Sequence, residues 1–438
     1  MKNQYLIIIF ILLGFVGCVP NDSDGPRPSD VFVKFYGLGS NEAIDIVRTS
    51  TGEIIVLAQN TVNGVSDFYL LKTDEGGNEI ASRIIDLADG SDDHPKRLKP
   101  IGEDEFIIVG YIQSEDEETG IDHFTGVWAK INSDLEIISN GSPGGNGFNF
   151  MDSLIAVDIV KTSDAAETFV LLGHSSVATR RYAGDQTPAG EFQIYMGKVD
   201  DQDSVYWQKS HGYSGNESAL SIFELENRGF LVVGSTRAVL DEYTGTNLYI
   251  FETNEFGTAD EGALVTGIPG ADPTGDDIPY TVKKSSLGYS IVGSTEDAAT
   301  GASRGFHLAV SPSGQLIDNS VSVLYNDFGF ECVATTFSRT LNNELMVLGY
   351  MENFLINQGE GGGSTTKNEE ILVMRVSPIL GRLEGFDQNY GTTVGSDQAV
   401  GAITLPDGDV LVAATIDFGS GTTMVGLLRL NANGELRD

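Results

Sequence analysis

Tryptophan, histidine and cysteine are nearly missing from this chain of 438 residues, and cations are scarce. It has two tryptophans, five histidines and two cysteines, with 26 lysines and arginines against 63 aspartates and glutamates. Each shortage excludes something. So large an acidic excess repels phosphodiester backbones and anionic lipid surfaces, which rules out nucleic acid as a partner. Two cysteines cannot build a disulfide framework. His94, His123, His174, His211 and His307 are scattered, with no H-E-x-x-H pair and no spacing typical of metal ligands. A G-x-S-x-G nucleophile elbow is absent as well. Trp128 and Trp207 both fall in strand-like runs, which leaves Tyr111, Tyr182, Tyr243 and Tyr350 as the aromatic groups open to stacking on a sugar ring. Beyond the first residues, no apolar run approaches the ~18 residues of a membrane-spanning helix.

The N-terminus carries an address. Lys2 precedes an apolar run from Tyr5 to Val16, followed by Gly17 and Cys18. A basic start, about a dozen apolar residues and a small residue at the cut describe a secretory signal peptide. Phe15-Val16-Gly17-Cys18 resembles the bacterial lipoprotein box. That resemblance implies cleavage after Gly17, acylation of Cys18 and a membrane anchor through the lipid. Cys332 is then the one remaining thiol. Residues 19–30, rich in Pro, Asp and Ser, read as a disordered tether. Asn21-Asp22-Ser23-Asp24 resembles the surface-export signal of Bacteroidota lipoproteins, which implies an outer-membrane lipoprotein facing outward. The expected organisation is a signal peptide over 1–17, a lipidated tether over 18–30 and one folded unit over 31–438.

What the remainder has in abundance is repetition. Seven related phrases recur: Gly39–Ala43, Gly90–His94, Phe150–Leu154, Gly215–Ala219, Gly275–Pro279, Phe330–Val333 and Gly395–Ala399. Each opens a run of four short strand-like segments separated by Gly- and Asp-rich turns. Ala43–Arg48, Ile54–Ala58, Asp67–Thr73 and Glu79–Ile85 are the first such set. Sevenfold four-stranded repetition at this period predicts an all-β fold, a seven-bladed β-propeller. A small residue recurs in the second strand (Gly110, Gly173, Gly234, Gly293 and Gly349, with Ala58 and Ala413 in the first and last copies), which predicts close backbone approach. A cation recurs in the third (Lys72, Lys130, Lys198, Arg375 and Arg429), read as structural pairing with nearby acids. The final copy stops past the turn into its fourth strand, whereas Val31–Gly37 stands alone at the other end and reads like a fourth strand. The N-terminal segment is therefore expected to complete the seventh blade and close the ring. The whole pattern over residues 31–438 resembles the secreted propeller repeats common in Bacteroidota, a resemblance that implies fold and carries no catalytic residues across.

Function is expected where the repeat breaks. The loops joining second to third strands are long and share one face with the blade-to-blade connections, whereas the opposite face has tight turns. Arg180, Arg181 and Tyr182 in the third such loop, and Phe354, Leu355 and Ile356 in the sixth, are candidate binding groups. Asn41, Asp93, Asp152, Glu217, Asp277, Glu331 and Asp397 form a ladder entering the innermost strands. Their simplest role is to cap turns by accepting backbone N–H bonds. A ring of carboxylates is also the one candidate for Ca²⁺, and no other cofactor is expected. Cys332, beside Glu331, reads as buried. These features lead to the expectation of a non-enzymatic, lipid-anchored scaffold docking on a protein complex of the outer membrane. The alternatives are an extracellular polysaccharide hydrolase or lyase using funnel carboxylates, and a glycan-binding module.

Overall fold

The computed structural model describes residues 32–437, apart from 38, 89, 116–121, 143–152, 165, 177–191, 214, 239–243, 260–262, 319, 325–329, 358–363, 378–380, 384–386, 393–394 and 420. Among the described residues every regular element is a β-strand. The strands form seven antiparallel sheets, one per blade, and in each the chain runs outward from an innermost strand. The innermost strands are Ser40–Arg48, Asp92–Pro100, Ser153–Lys161, Glu217–Glu224, Asp277–Ser285, Cys332–Arg339 and Gln398–Thr404. Blades are numbered 1 to 7 in that order. The apolar core lies between neighbouring sheets. Ile54, Val56 and Leu71 of blade 1 pack with Leu411, Ala413 and Leu427 of blade 7, and similar clusters fill the other six junctions around the ring. Fully buried second strands such as Phe230–Thr236 read as unbroken apolar runs because both faces of the sheet meet a neighbouring blade.

Ring closure occurs as expected. Val33–Tyr36 pairs antiparallel with Thr423–Leu430, Val33 opposite Leu428 and Tyr36 opposite Val425, and completes the sheet of blade 7. The C-terminus takes part too. After a turn at Asn431–Gly434, Leu436 bridges to Leu430, the Arg437 carbonyl accepts the Phe32 N–H at 2.6 Å, and the Arg437 guanidinium pairs with Asp409 at 2.9 Å. The outer edge of the last blade is thus assembled from the two ends of the described chain, which meet head to tail.

Every inner strand carries one β-bulge at the same place: after Ala43, Pro95, Ala156, Ala219, Pro279, Ala334 and Ala399. The bulge pushes the preceding carbonyl toward the second strand, and this is why glycine recurs there. A Cβ on Gly110 would lie 2.1 Å from the His94 carbonyl oxygen, and one on Gly349 1.8 Å from that of Val333. Counting from the bulge, the equivalent residue of blade 7 is Ala414, opposite Ala399, and not Ala413.

The third-strand cations all meet acids. Lys72 contacts Glu53 at 2.8 Å, Lys130 contacts Glu105 at 3.0 Å and Glu167 at 2.9 Å, and Arg429 contacts Asp409 at 2.9 Å. Lys198 pairs with Asp164, and Arg375 with Glu344.

Candidate functional site

The inner strands enter the ring on the face that also carries the long second-to-third-strand connections. The residue two positions before each bulge caps that entry. The Asp93 carboxylate accepts the Leu87 N–H at 2.6 Å, Asp277 that of Ile268 at 2.8 Å, Asp397 that of Asp417 at 2.8 Å and Glu217 that of Tyr213 at 3.2 Å. Asn41 accepts from the Asn60 amide at 2.9 Å. Burial pushes the Asp93 and Asp277 carboxyls up to about 6, and it raises Asp397 as well.

The bulge register corrects two rungs of the expected ladder. In blade 3 the capping position is Leu154, two residues before Ala156, and in blade 6 it is Cys332, two before Ala334. Asp152 lies outside the described residues. Glu331 precedes the strand and accepts the Ser303 N–H at 3.3 Å. Five polar rungs and two apolar ones therefore replace a continuous ring of seven. The sequence signal that marks the register was present: a small residue or proline two positions after the cap. Turn composition, which varies in length, obscured it.

One residue further along each inner strand, the side chains reach the funnel mouth. These positions are Glu42, His94, Ile155, Ser218, Ile278, Val333 and Gln398. Across from them on the second strands stand Gln59, Tyr111, His174, Ser235, Ser294, Tyr350 and Thr415. In the entry half of an innermost strand, an exposed residue meets solvent through the axis or the mouth, since the second strand walls its other edge. Glu42, Lys96 and Tyr280 are exposed in this sense. Lys96 is nonetheless held in a concave setting, where desolvation lowers its pKa and the Glu42 charge resists.

Two arcs of the mouth are chemically distinct from the rest. On blades 1 to 3, the His94 ring stacks on Tyr111 with centroids 4.7 Å apart, and its Nδ1 lies 3.1 Å from the Gln59 Oε1. Lys96 sits over Tyr111 at 5.4 Å, and Phe124 packs edge-on against the same ring. Lys96 also acts electrostatically on both His94 and His174. Burial pushes the His174 imidazole down to about 4. On blades 5 to 7, Tyr280, Glu352 and Glu369 each act electrostatically on Tyr350, and Gln398 donates to Glu369 at 2.6 Å. Burial and these charges raise the Tyr350 phenol.

Below the mouth, charged side chains link the inner strands. Lys99 pairs with buried Asp158 at 2.6 Å, and Asp158 accepts the N–H groups of Ile159 and Ile222, each at 2.9 Å. Lys283 donates to the carbonyls of Phe337 at 2.6 Å and Ala402 at 3.0 Å, which ties blade 5 to blades 6 and 7. Burial pushes its ammonium down to about 8. Asp45 accepts the Leu98 N–H at 3.1 Å. Sequence reading did not single out this layer, because its members are ordinary strand residues until the ring brings seven blades to one axis.

The other expected groups are placed as follows. Gly17 and Cys18, like Arg180, Arg181 and Tyr182, lie outside the described residues. Phe354, Leu355 and Ile356 are not in a loop: the second strand of blade 6 continues through them as Leu345–Asn357, pairing with Ser364–Ser377, so a long β-hairpin projects at this edge of the mouth. Cys332 is buried, its thiol 3.7 Å from the Leu324 carbonyl. Trp128 is fully buried, and Trp207 packs on Phe230, so neither offers a stacking platform.

No protein-family model matches the chain, and no curated protein matches it in sequence. Solved structures do match in chain course. An α-L-arabinofuranosidase from Fusarium graminearum, in complex with an iminosugar inhibitor, is 9% identical over 93% of this chain and 94% of its own, with a TM-score of 0.42. A Penicillium chrysogenum α-L-arabinanase complexed with arabinobiose is 11% identical over 93% and 99%, at 0.43. A GH32 β-fructofuranosidase from Bombyx mori is 11% identical over 92% and 90%, at 0.36. These matches stand against the expectation of a non-enzymatic scaffold docked on an outer-membrane complex: most of them are enzymes, with glycoside hydrolases alongside a peptidase and an initiation factor. At such identities the likeness concerns the fold, and it brings no substrate and no catalytic residue to this chain.

Proposed function

We propose that this propeller acts on an extracellular polysaccharide at its funnel mouth, as a hydrolase. The observation that supports the reading is the pairing of accessible acids with aromatic rings on two arcs of one concave mouth. Glu42 acts on His94 of the His94–Tyr111 stack and on Lys96, and Glu369 and Tyr280 both act on Tyr350. Glycoside hydrolysis needs one carboxyl to protonate the leaving oxygen and a second to stabilise or attack the anomeric carbon. Glu42 on one arc and Glu369 on the other are the carboxylates we put forward for substitution, with Tyr111 and Tyr280 as stacking surfaces and Lys96 and Gln398 as hydroxyl-binding or positioning groups. The buried caps Asp93, Glu217, Asp277 and Asp397 accept backbone N–H groups, Asn41 accepts from the Asn60 amide, and none of the five is part of this set. In this reading Cys18 supplies a lipid anchor, and the mouth meets its polymer at the cell surface.

The test is a screen of soluble polysaccharides for released reducing ends, followed by Glu42→Gln and Glu369→Gln on any substrate found. Each variant should lower turnover by roughly 100-fold or more while the protein stays folded. Release that survives both substitutions would sink the assignment. Retained polysaccharide binding with no hydrolysis by the parent would leave a glycan-binding module.

A further inference from the structure

The junction between blades 1 and 2 differs from the others in a way that the mouth chemistry does not use. Where the chain leaves an outer strand for the next blade, blades 3, 4, 6 and 7 carry glycine: Gly212, Gly267, Gly391 and Gly37, read from the strand registers. These glycines make room for the cap of the following blade. A Cβ on Gly37 would fall 2.4 Å from the Asn41 side chain, on Gly212 2.4 Å from Glu217, and on Gly391 2.7 Å from Asp397. In blade 1 the same position is Asp86, which places a carboxylate where the others have none.

Asp86 also continues the pairing of Phe68 with Ile85, so it faces Asp67 across the strands. The residues equivalent to Asp67 in blades 2 to 7 are Thr125, Gln193, Asn247, Arg304, Glu370 and Met424; the one other acid, Glu370, lies opposite Gly391 and not opposite a second carboxylate. Like charges opposite one another destabilise an antiparallel pair. The cap Asp93 is the third member. Ligand atoms of Asp67, Asp86 and Asp93 all lie within 4.8 Å of one another.

A second and independent observation concerns Asp93 itself. Its side chain is fully buried, and only one oxygen is engaged, by the N–H groups of Leu87 and Ala88. Its Oδ1 has no hydrogen-bond partner among the described residues. Across the strands Asp93 faces Ile112, which has no polar group to offer it. A buried carboxylate oxygen without a donor costs free energy unless something else satisfies it. The charges that act on Asp93 and Asp67 are all negative: Asp86 on both, each other or Asp92 besides.

We propose that Asp67, Asp86 and Asp93 bind a Ca²⁺ ion that bridges blades 1 and 2. Three carboxylates, two on strands and one just past the end of a third, supply hard oxygen donors without nitrogen or sulfur, the chemistry Ca²⁺ selects. The ion neutralises a repulsive trio and gives the orphaned oxygen its partner. Its position directly before His94 makes it a brace for one arc of the mouth, independent of what that mouth acts on.

The experiment is calorimetric and thermal titration of the EDTA-treated full chain with Ca²⁺. One binding event per chain and a rise of a few degrees in the unfolding temperature are expected. Asp86→Gly, which installs the residue found in the other blades, and Asp67→Asn should abolish both responses. Each should also unfold, without metal, at a temperature equal to or above that of the parent, because the repulsion is gone. A variant that merely misfolds would unfold lower, so the two cases separate. The proposal is overturned by the absence of heat and of any thermal shift up to about 10 mM Ca²⁺, beyond the ~1 mM weak end of extracellular calcium modules. It is equally overturned if both variants respond as the parent does.

Discussion

Two sets of positions one residue apart on the same inner strands obey opposite rules. Just before the bulge every blade has alanine or proline: Ala43, Pro95, Ala156, Ala219, Pro279, Ala334 and Ala399. One step nearer the mouth the residues are Glu42, His94, Ile155, Ser218, Ile278, Val333 and Gln398, with nothing in common. The first set packs against the glycine or alanine of the second strand, where backbones meet within van der Waals limits and no larger group fits. Apart from buried Val333, the second set is relieved of packing by the funnel, so chemistry can vary there without cost to the scaffold. In a ring of repeats, uniformity marks where blades touch and irregularity marks where a ligand can.

Four measurements break or sharpen that contrast. The largest effect should come from the closing contact that every blade depends on. Deleting residues 32–37 removes the outer strand of blade 7, including buried Tyr36, and should cost at least about 3 kcal/mol. An unfolding transition that stays where the parent's lies would show that the ring holds without closure. Next, Gly349→Ala forces a Cβ against the Val333 carbonyl and should destabilise by about 3 kcal/mol in urea, whereas Ser218→Ala, at a mouth position, should stay within about 0.5 kcal/mol. Equal losses would erase the distinction between the two sets.

Acidification should come third. His174, His211 and His307 titrate near 4 in the folded chain, each lowered from an ordinary 6.5 chiefly by burial. The folded state resists the proton, so the stability this represents is complete above about 6.5 and drains as pH falls toward 4. Asp93 and Asp277, raised to about 6 from 3.8, work in the opposite sense: they favour the folded state at low pH and lose that contribution as pH rises through 6. Three rings outweigh two carboxyls, and the unfolding temperature should be lower at about pH 5 than at about pH 7. A higher value at pH 5 would mean that the caps dominate. The smallest effect belongs to the third-strand cations. Lys72→Met removes a partly solvated pair with Glu53 and should change stability by about 1 kcal/mol or less in chemical denaturation. A loss of several kcal/mol would place these cations with the packing set.

Much of the scaffold was legible because a propeller blade is written locally. Alternation, a buried second strand, and Gly- and Asp-rich turns at a constant period specify four strands each, and the unpaired Val31–Gly37 segment pointed to closure. Register was not legible to the same degree. Leu154 and Cys332 occupy capping positions that turn composition had given to Asp152 and Glu331, because the bulge sets the count and the loop before it varies in length. The extended hairpin of blade 6 was read as a loop, since Phe354–Ile356 sits beside a glycine-rich stretch that looks like a linker. The glutamates put forward for substitution were not singled out at all among 63 acids.

By itself, then, the sequence determined the blade, the number of blades and the joining of the ends, since each follows from short-range hydrogen bonding and the burial of strand faces. Tertiary structure alone decided which side chains share a space. Lys99, Asp158 and Lys283 become a layer, His94, Tyr111 and Glu42 a mouth, and Asp67, Asp86 and Asp93 a trio, only when strands separated along the chain are wound about one axis. A repeat encodes contacts between neighbours in sequence; the funnel is made of contacts across the ring, and its chemistry comes from the positions that packing leaves free.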